Sequence, residues 1–378
     1  MPVTVESFGP EHLGAVRRLC ERAYPGERPT SHRYYEWAFL EAPGHRAFVA
    51  MDDDRCVAVL RAFERRYLLA GEEVSCLETF DWYADPDVRR RAVGIAVIRA
   101  AMSSGEPAIN VGGTAATHAL LPRLGWRTIG SAALYVLPLS GAGGSSRRVD
   151  ALGAAAPPAR AALGTAGRLW FSPRRRRPPA GARVLPVSAP GGEVTALYGA
   201  SGGYDMAPLP HVARLRWLAS GFPGTGQLVS LYFTVHDRLR GWAMARVYAT
   251  ASGCEAAVLE LYAPRPDGAL VGWMLSELLA RVAPYRPSRV RALATCPVLQ
   301  GALHGMRFLR RDDLPIHVWA PGRELAPASP HITLNTQDAP FSPHPPPELF
   351  PGSAGAWPGA LETPLAPMGA WSHAHGGE

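Results

Sequence analysis

Three consecutive arginines stand directly before a small, apolar, helix-forming segment in the stretch DPDVRRRAVGIAVIRAAM, residues 85–102. The first backbone N–H groups of a helix have no intrahelical partner and lie at the positive end of the helix dipole. The arginines at 89–91 add formal charge, and small residues at Ala92 and Gly94 let a bulky anion approach the backbone. The stretch therefore predicts a diphosphate-binding turn. A solvated basic helix start is the alternative.

The elements that must position this turn alternate between strands and helices. Strand patterns cover VTVESF, RAFVAM, CVAVLRAF, EVSCLETFDWYA and PAINVG, and WRTIGSAALYVLPL predicts one or two closing strands. Helical spacing covers PEHLGAVRRLCERAY, SHRYYEWAFLEA, about 92–103 and THALLPRL. This order predicts an α/β domain over residues 1–139.

The rest of the chain divides by composition into three further segments. Residues 140–182 are rich in Gly, Ala and Pro with a basic tip, which predicts a flexible linker. Residues 183–321 form a second alternating region. The remainder, 322–378, is rich in Pro, Gly, Ser and His and predicts a disordered tail.

Composition also limits the class of partner. The net charge of +7 is spread along the chain apart from the run 174–177, so nucleic acid is not an expected partner, and an adaptor acting through that run is a minor alternative. The five cysteines share no CxxC spacing, which favours neither a zinc site nor a disulfide framework. No apolar run of about 18 residues exists, so no membrane contact is expected. The cytoplasm is the expected location.

Two halves of the sequence share three features in the same order. Trp37 and Trp217 are each followed six residues later by Pro-Gly. Glu78 lies 41 residues after Trp37, and Glu260 lies 43 after Trp217, each inside the longest predicted strand of its half. Repeated spacing of this kind predicts a duplicated unit.

The segment PDVRRRAVGIAVI resembles the acetyl-CoA motif of the GNAT acyltransferase superfamily, Arg/Gln-x-x-Gly-x-Gly/Ala between a strand and a helix. One register runs from Arg91 to Ala96. The other, from Arg89 to Gly94, is preferred because it also aligns the strand exit and the helix. In either register one glycine is replaced by alanine. GGTAATHALLPRLGWRTIG, residues 112–130, is similar to the family's later helix and turn, and YYEWAFLEAPG to a subgroup with tandem domains.

The resemblance implies two GNAT-like domains in tandem, with a mixed α/β sheet and acetyl-CoA or another acyl-CoA as co-substrate. No metal is expected. The second domain is expected to be degenerate, because LELYAPRPDGALVGWMLSELL lacks the arginine run and the glycine spacing. The cofactor-binding positions that the resemblance implies are Trp82, Tyr83, Ala84, Arg89, Arg90, Arg91, Ala92, Val93, Gly94 and Ile95.

In this family a carboxylate on the strand before the loop often deprotonates the acceptor amine. Glu78 occupies that place, and strand alternation puts it on one apolar face with Cys76, Phe80 and Trp82, which would raise its pKa. Asp81 is the second candidate. The alternative for Glu78 is an ion pair with an arginine of the same sheet.

The general acid is less well defined by the sequence. His118 is the candidate, because leucines occupy the places where many members carry a tyrosine. Tyr83 or solvent are the alternatives. Cys76 as a covalent nucleophile is disfavoured, since no histidine is placed beside it by local spacing.

The sequence therefore predicts an N-acyltransferase that acts by direct amine attack on a small-molecule acceptor. The alternative is a non-catalytic protein that keeps the fold as a binding or assembly module. The identity of the acceptor, the acyl chain length and any self-association are left open.

Overall fold

Strands and helices alternate from Thr4 to Pro138 as the sequence predicts. The structure is a computed structural model that describes residues 3–23, 31–69, 71–139, 175–199, 203–221, 226–250, 253–265, 267–322, 327 and 329–336. The first half contains β1 (Thr4–Ser7), α1 (Leu13–Ala23), α2 (His32–Tyr35), β2 (His45–Asp52), β3 (Arg55–Leu69), β4 (Glu72–Ala84), α3 (Val93–Met102), β5 (Ala108–Val111), α4 (Ala115–Leu120) and β6 (Arg127–Pro138). A π-helical turn, Glu36–Leu40, continues α2.

The helices of the first half form where apolar side chains recur on one face. In α1, Leu13, Val16, Leu19 and Cys20 are all buried, at the helical spacing that the sequence predicts. The chain enters α2 at Ser31, whose side chain accepts a hydrogen bond from the backbone N–H of Tyr34.

The second half has a similar order from Ala182 to Trp319, with one short strand added between its first two helices. It contains β7 (Ala182–Val187), α5 (Glu193–Gly199), β8 (Met206–Pro208), α6 (Val212–Ser220), β9 (Gln227–Val235), β10 (Arg238–Thr250), β11 (Gly253–Tyr262), α7 (Gly268–Val282), β12 (Arg289–Ala294), α8 (Pro297–Gly305) and β13 (Leu309–Trp319). The predicted linker lies outside the described residues up to position 174, and Pro223 and Gly224 of the repeat lie outside them as well.

One 13-stranded mixed sheet runs through both halves in the order β1-β2-β3-β4-β5-β13-β6-β12-β11-β10-β9-β7, with β8 added to β3. The halves exchange their last strands at its centre. Strand β13 pairs with β5 of the first half, β6 pairs with β12 of the second, and β13 and β6 pair with each other. Each half is therefore completed by a strand of the other.

The last described segment, residues 329–336, corrects a sequence prediction. Its composition predicts disorder, yet His331, Ile332, Thr333 and Asn335 are at most 2% exposed. The segment pairs with β8 through a bridge between Met206 and Pro330. Buried hydrogen bonds from Arg65 and to Glu260 hold it between the halves, and composition alone could not indicate them.

Candidate active site

Strand β4 contains a bulge that turns its last residues over. Its register with β3 shifts between Val59 and Arg61, and Asp81 has a φ of 46°. Phe80 consequently packs with Phe63, whereas Trp82 packs on the opposite face of the sheet. The prediction that Trp82 shares a face with Glu78 is therefore wrong, because strict alternation holds only up to the bulge.

The turn after β4 is organised by Asp85, which is 3% exposed. One carboxylate oxygen accepts from the backbone N–H of Asp87, and the other from Arg22 at 3.1 Å and Arg55 at 2.6 Å. Burial alone would raise the pKa of Asp85, but the hydrogen bonds from Arg55 and the Asp87 amide outweigh it and lower the pKa. The strand exit is thus held by an ionised carboxylate.

The predicted diphosphate turn consists of a 3₁₀ turn followed by one left-handed residue. Residues Pro86–Arg91 form a 3₁₀ turn, and Ala92 then adopts the left-handed conformation, with φ of 56°, before α3 begins at Val93. The first helical hydrogen bonds are made by the N–H groups of Ile95 and Ala96 to Ala92. The amides of Val93 and Gly94 therefore precede the helical ladder, as anion-binding amides do.

The left-handed conformation of Ala92 also distinguishes between the two motif registers. In the register Arg89 to Gly94, Ala92 stands where the motif has its first glycine, and a glycine is the residue that adopts φ of 56° without steric cost. Gly94 itself faces Trp82 and Ala84, since a Cβ there would lie 3.5 Å from Trp82 Nε1 and 3.4 Å from Ala84 Cβ. The backbone geometry favours this register.

Strands β4 and β5 run parallel but stay together for only two residue pairs, Leu77 with Ala108 and Glu78 with Ile109. Beyond these pairs β4 continues to Ala84. The side chain of Asn110 then bridges the strands, because its Nδ2 donates to the carbonyl of Thr79 at 3.1 Å. The end of β4 lies beside the start of α3, and the place where β4 and β5 part is named the opening.

The remaining predicted cofactor-binding residues belong to the end of β4, the 3₁₀ turn and the start of α3. Trp82 donates from Nε1 to the carbonyl of Gly94 at 2.8 Å, and Tyr83 and Ala84 are half-buried. Arg91 is exposed and pairs with Asp52 at 2.8 Å. Arg89 and Arg90 belong to the 3₁₀ turn that precedes it. The structure thus brings the predicted turn, strand end and helix start together.

Glu78 lies in a buried ionic network. It is 1% exposed, accepts a hydrogen bond from Arg65 Nη1 at 3.1 Å and another from the hydroxyl of Tyr67, and lies 4.0 Å from Arg214 Nη1. Arg65 belongs to the same sheet, so the ion pair that the sequence left open as an alternative is formed.

The same network joins the two halves through the last described segment. The carbonyl of Asn335 accepts from both Arg65 and Arg214, at 3.0 and 3.2 Å, while its Nδ2 donates to Glu260 at 3.3 Å. His331 lies 2.8 Å from the other oxygen of Glu260. Burial opposes ionisation, but His331 outweighs it and lowers the pKa of Glu260. The two repeated glutamates therefore share one buried network.

Asp81 is also ion-paired. Its Oδ2 lies 3.0 Å from Arg61 Nη1, and Arg61 is fully buried between the rings of Phe39 and Phe80. The Nε of Arg61 donates to His45 Nε2 at 3.0 Å. Desolvation and the adjacent guanidinium lower the pKa of His45 well below its usual range.

His118, the predicted general acid, contacts a residue of the other half. Its Nδ1 lies 3.0 Å from Nε2 of His317, on the exchanged strand β13, and Nδ1 of His317 lies 3.1 Å from the hydroxyl of Thr128. His118 is half-buried and His317 is 2% exposed. Burial and the neighbouring His118 lower the pKa of His317.

Several residues of this region carry no signal in the sequence. Arg65, Arg214, Asn335 and His317 meet their partners through contacts between different elements, so no local spacing identifies them. The described residues contain no group of three or more His, Cys, Asp or Glu side chains placed to hold a metal. No helix among them is long and apolar enough to cross a membrane.

Comparison with solved structures identifies proteins of the same fold. A GCN5-related N-acetyltransferase from Anabaena variabilis matches with a TM-score of 0.57 at 15% identity, over 84% of this chain and 72% of that one. The N-myristoyltransferase of Saccharomyces cerevisiae, with bound myristoyl-CoA, matches with a TM-score of 0.50 at 12% identity, over 84% and 80%. No match was found among curated proteins.

A family model supplies the sequence-level assignment. Residues 5–126 match the model described as an acetyltransferase (GNAT) domain. This range contains the bulged strand, the predicted diphosphate turn, α3 and α4. The chain therefore carries a domain of the GNAT acetyltransferase family.

Proposed function

We propose that the protein is an acyl-CoA-dependent N-acyltransferase whose two halves are GNAT-like domains in tandem. The observation that carries the proposal is the backbone from β4 to α3, where a bulged strand leads into a turn with Ala92 in the left-handed conformation. The amides of Val93 and Gly94 would hold the diphosphate of CoA. The diverging ends of β4 and β5 would admit its pantetheine arm.

The three arginines that the sequence places at this turn would attract a large anion. Arg91 would have to exchange Asp52 for a phosphate, and Arg89 and Arg90 add charge at the same turn. Trp82, Tyr83, Ala84 and Ile95 line the strand end and helix start. Acetyl-CoA is the proposed donor, and myristoyl-CoA is the comparison donor because the yeast neighbour binds it.

In the second half, a side-chain carboxylate already binds the backbone amides at the equivalent helix start. The carboxylate of Asp267 accepts from the backbone N–H groups of Ala269 and Leu270, at the start of α7. A second anion would repel this carboxylate. We therefore place the co-substrate in the first half, and the second half contributes β13 and the buried network.

The proposed reaction is direct attack of a neutral primary amine of a small molecule on the thioester carbonyl. Glu78 is the proposed base. To accept a proton from an amine it must exchange its hydrogen bonds with Arg65 and Tyr67, so base catalysis requires this network to open. Asp81 faces the same requirement at Arg61.

These closed ion pairs favour a second candidate function, in which the domain binds acyl-CoA without transferring its acyl group. The two candidates differ in turnover and agree in binding. Titration calorimetry with acetyl-CoA and myristoyl-CoA tests the shared step. In unfolding experiments, a ligand at 100 times its dissociation constant should raise the free energy of unfolding by about 2.7 kcal/mol. No binding of either donor would exclude both candidates.

Release of free CoA thiol in the presence of a panel of primary amines then tests turnover. With a responsive amine, Glu78→Gln should lower kcat and leave the dissociation constant of acetyl-CoA unchanged. Glu106→Gln is the matched control, because Glu106 is a half-buried carboxylate that pairs with Arg46. It precedes the amino end of β5, whereas the opening is at the carboxyl end. An unchanged kcat in Glu78→Gln would remove this residue as the base.

A further inference from the structure

The pair His118 and His317 stands out among polar contacts between the halves because it is next to the opening and unused by the buried network. Strand β13 inserts between β5 and β6, so His317 faces Asn110 on one side and Thr128 on the other. Asn110 in turn donates to Thr79 on β4. The pair is therefore one strand away from the point where β4 and β5 diverge.

The backbone places His118 at the edge that the co-substrate would use. Because β4 and β5 are parallel, their carboxyl ends lie at the same edge of the sheet. Helix α3 follows the carboxyl end of β4, and α4, which carries His118, follows that of β5 through Gly112 and Gly113. The proposed diphosphate turn and His118 therefore flank one opening.

Hydrogen bonding to His317 determines how His118 can act. A buried imidazole with a lowered pKa is neutral and has one N–H. If His317 donates from Nδ1 to the hydroxyl of Thr128, its Nε2 accepts from Nδ1–H of His118. That arrangement leaves Nε2 of the half-buried His118 directed away from His317, available to donate or accept a proton.

We infer that His317, supplied by the second half, is a positioning residue that orients His118 as the general acid for the departing CoA thiolate. This inference rests on the proposed function. The amine nitrogen forms the new amide bond, the carbon–sulfur bond breaks, and the thiolate takes the proton from Nε2 of the His118 imidazolium. Solvent returns that proton to His118, and the proton lost by the amine passes to Glu78, the proposed base, and from there to solvent.

The exchanged strand β13 would thereby take part in the chemistry. The first half would hold the co-substrate and His118, but His118 would be held in one ring orientation only when β13 is in place. A general acid contributes about 10²-fold or more to rate, and the contribution depends on its orientation.

The test uses the full chain, acetyl-CoA and the most responsive amine of the panel. His118→Gln and His317→Leu should each lower kcat by about 10²-fold and leave acetyl-CoA affinity unchanged. The double variant should lose little more than either single variant, because the two residues act as one unit. His317→Gln should recover part of the rate, since its amide oxygen can accept from His118. His304→Gln, an exposed histidine at the end of α8, is the control.

A full kcat in His317→Leu, or losses that simply multiply in the double variant, would overturn the inference while leaving the proposed function intact. If wild-type protein neither binds nor turns over acyl-CoA, the proposed function and this inference both fall. Nitrogen-15 NMR of the histidine rings provides a readout that does not depend on turnover or on variants that fold poorly. A neutral His317 protonated at Nε2 could not accept from Nδ1–H of His118 and would contradict the inferred orientation of His118.

Discussion

Trp37 and Trp217, the repeated tryptophans of the two halves, stack on each other with ring centroids 4.3 Å apart and planes inclined by 22°. Both belong to one buried cluster that contains α1, α2 and the start of the π-helical turn. The repeated tryptophans of the two halves thus contact each other directly.

This stack should contribute a measurable coupling energy between the halves. In a double-mutant cycle with Trp37→Leu and Trp217→Leu, urea unfolding should give a coupling of about 0.5–1.5 kcal/mol, the usual value for an aromatic pair. Trp242, which is buried in a different cluster, is the control partner. A cycle of Trp37→Leu with Trp242→Leu should be additive, and equal coupling in both cycles would contradict a direct contact.

Replacing Ala92 by glycine should stabilise the protein by about 1 kcal/mol, because the left-handed conformation costs a residue with a Cβ roughly 1–2 kcal/mol. Ala96 lies in the same helix with ordinary helical hydrogen bonding. Ala96→Gly is the matched control and should destabilise by about 1 kcal/mol. Equal destabilisation by both substitutions, measured by urea unfolding, would show that Ala92 is not left-handed and would remove the preferred motif register.

The buried pair of Glu78 and Arg65 should behave as a unit in unfolding experiments. Removing one partner leaves an uncompensated buried charge, so Arg65→Met should cost about 3–5 kcal/mol. Combining it with Glu78→Gln should recover part of that loss, since the remaining carboxamide carries no charge. Arg66→Met is the control, because Arg66 forms an exposed pair with Glu73 and should cost less than about 1 kcal/mol. No recovery in the double variant would contradict direct pairing.

The local sequence predicts the turn and the helix start of this site. It does not predict the bulge or the contacts between distant elements. The arginine run, Gly94 and the strand before them predict the diphosphate turn, because a turn and a helix start depend on adjacent residues. The bulge at Asp81 is not visible, since alternation continues through it in the sequence. His317 pairs with Thr128 across 189 residues, and only the exchange of strands brings them together.

The last described segment escapes prediction for a related reason. A stretch rich in proline and polar residues predicts disorder when its own composition is considered. Here Asn335 and His331 form hydrogen bonds with buried charged groups of other elements. Those groups are Arg65, Arg214 and Glu260. Such a requirement cannot be read from the segment itself.

Stability should fall as the pH is lowered below about 6.5. The folded protein lowers the pKa of His45 and His317, chiefly by desolvation. The unfolded chain therefore binds protons in this range that the folded chain does not, and each such histidine removes about 1.4 kcal/mol per pH unit. Asp85 and Glu260 have lowered pKa values and add their own loss only at more acidic pH.

His45 offers the sharpest test of that dependence. In His45→Gln the amide oxygen can accept from Arg61 Nε as the imidazole does, but it cannot titrate. The slope of unfolding free energy between pH 6.5 and 5 should therefore be smaller than in wild type. His304→Gln, an exposed histidine, should leave the slope unchanged. An unchanged slope in His45→Gln would show that His45 titrates normally in the folded protein.

A chain that ends at Ala328 should be far less stable than one that ends at Thr336. The shorter chain leaves Glu260 without His331 and Asn335, and takes one carbonyl acceptor from Arg65 and Arg214. Each buried polar group left unsatisfied costs about 1–3 kcal/mol. Their sum approaches the 5–15 kcal/mol that stabilises a typical domain, so soluble yield and the urea midpoint should both fall.

In the chain that ends at Thr336, His331→Gln keeps a hydrogen-bond donor for Glu260 and should recover most of the wild-type midpoint, whereas His331→Leu should not. Equal midpoints for the two truncated chains would mean that the segment does not hold the halves together.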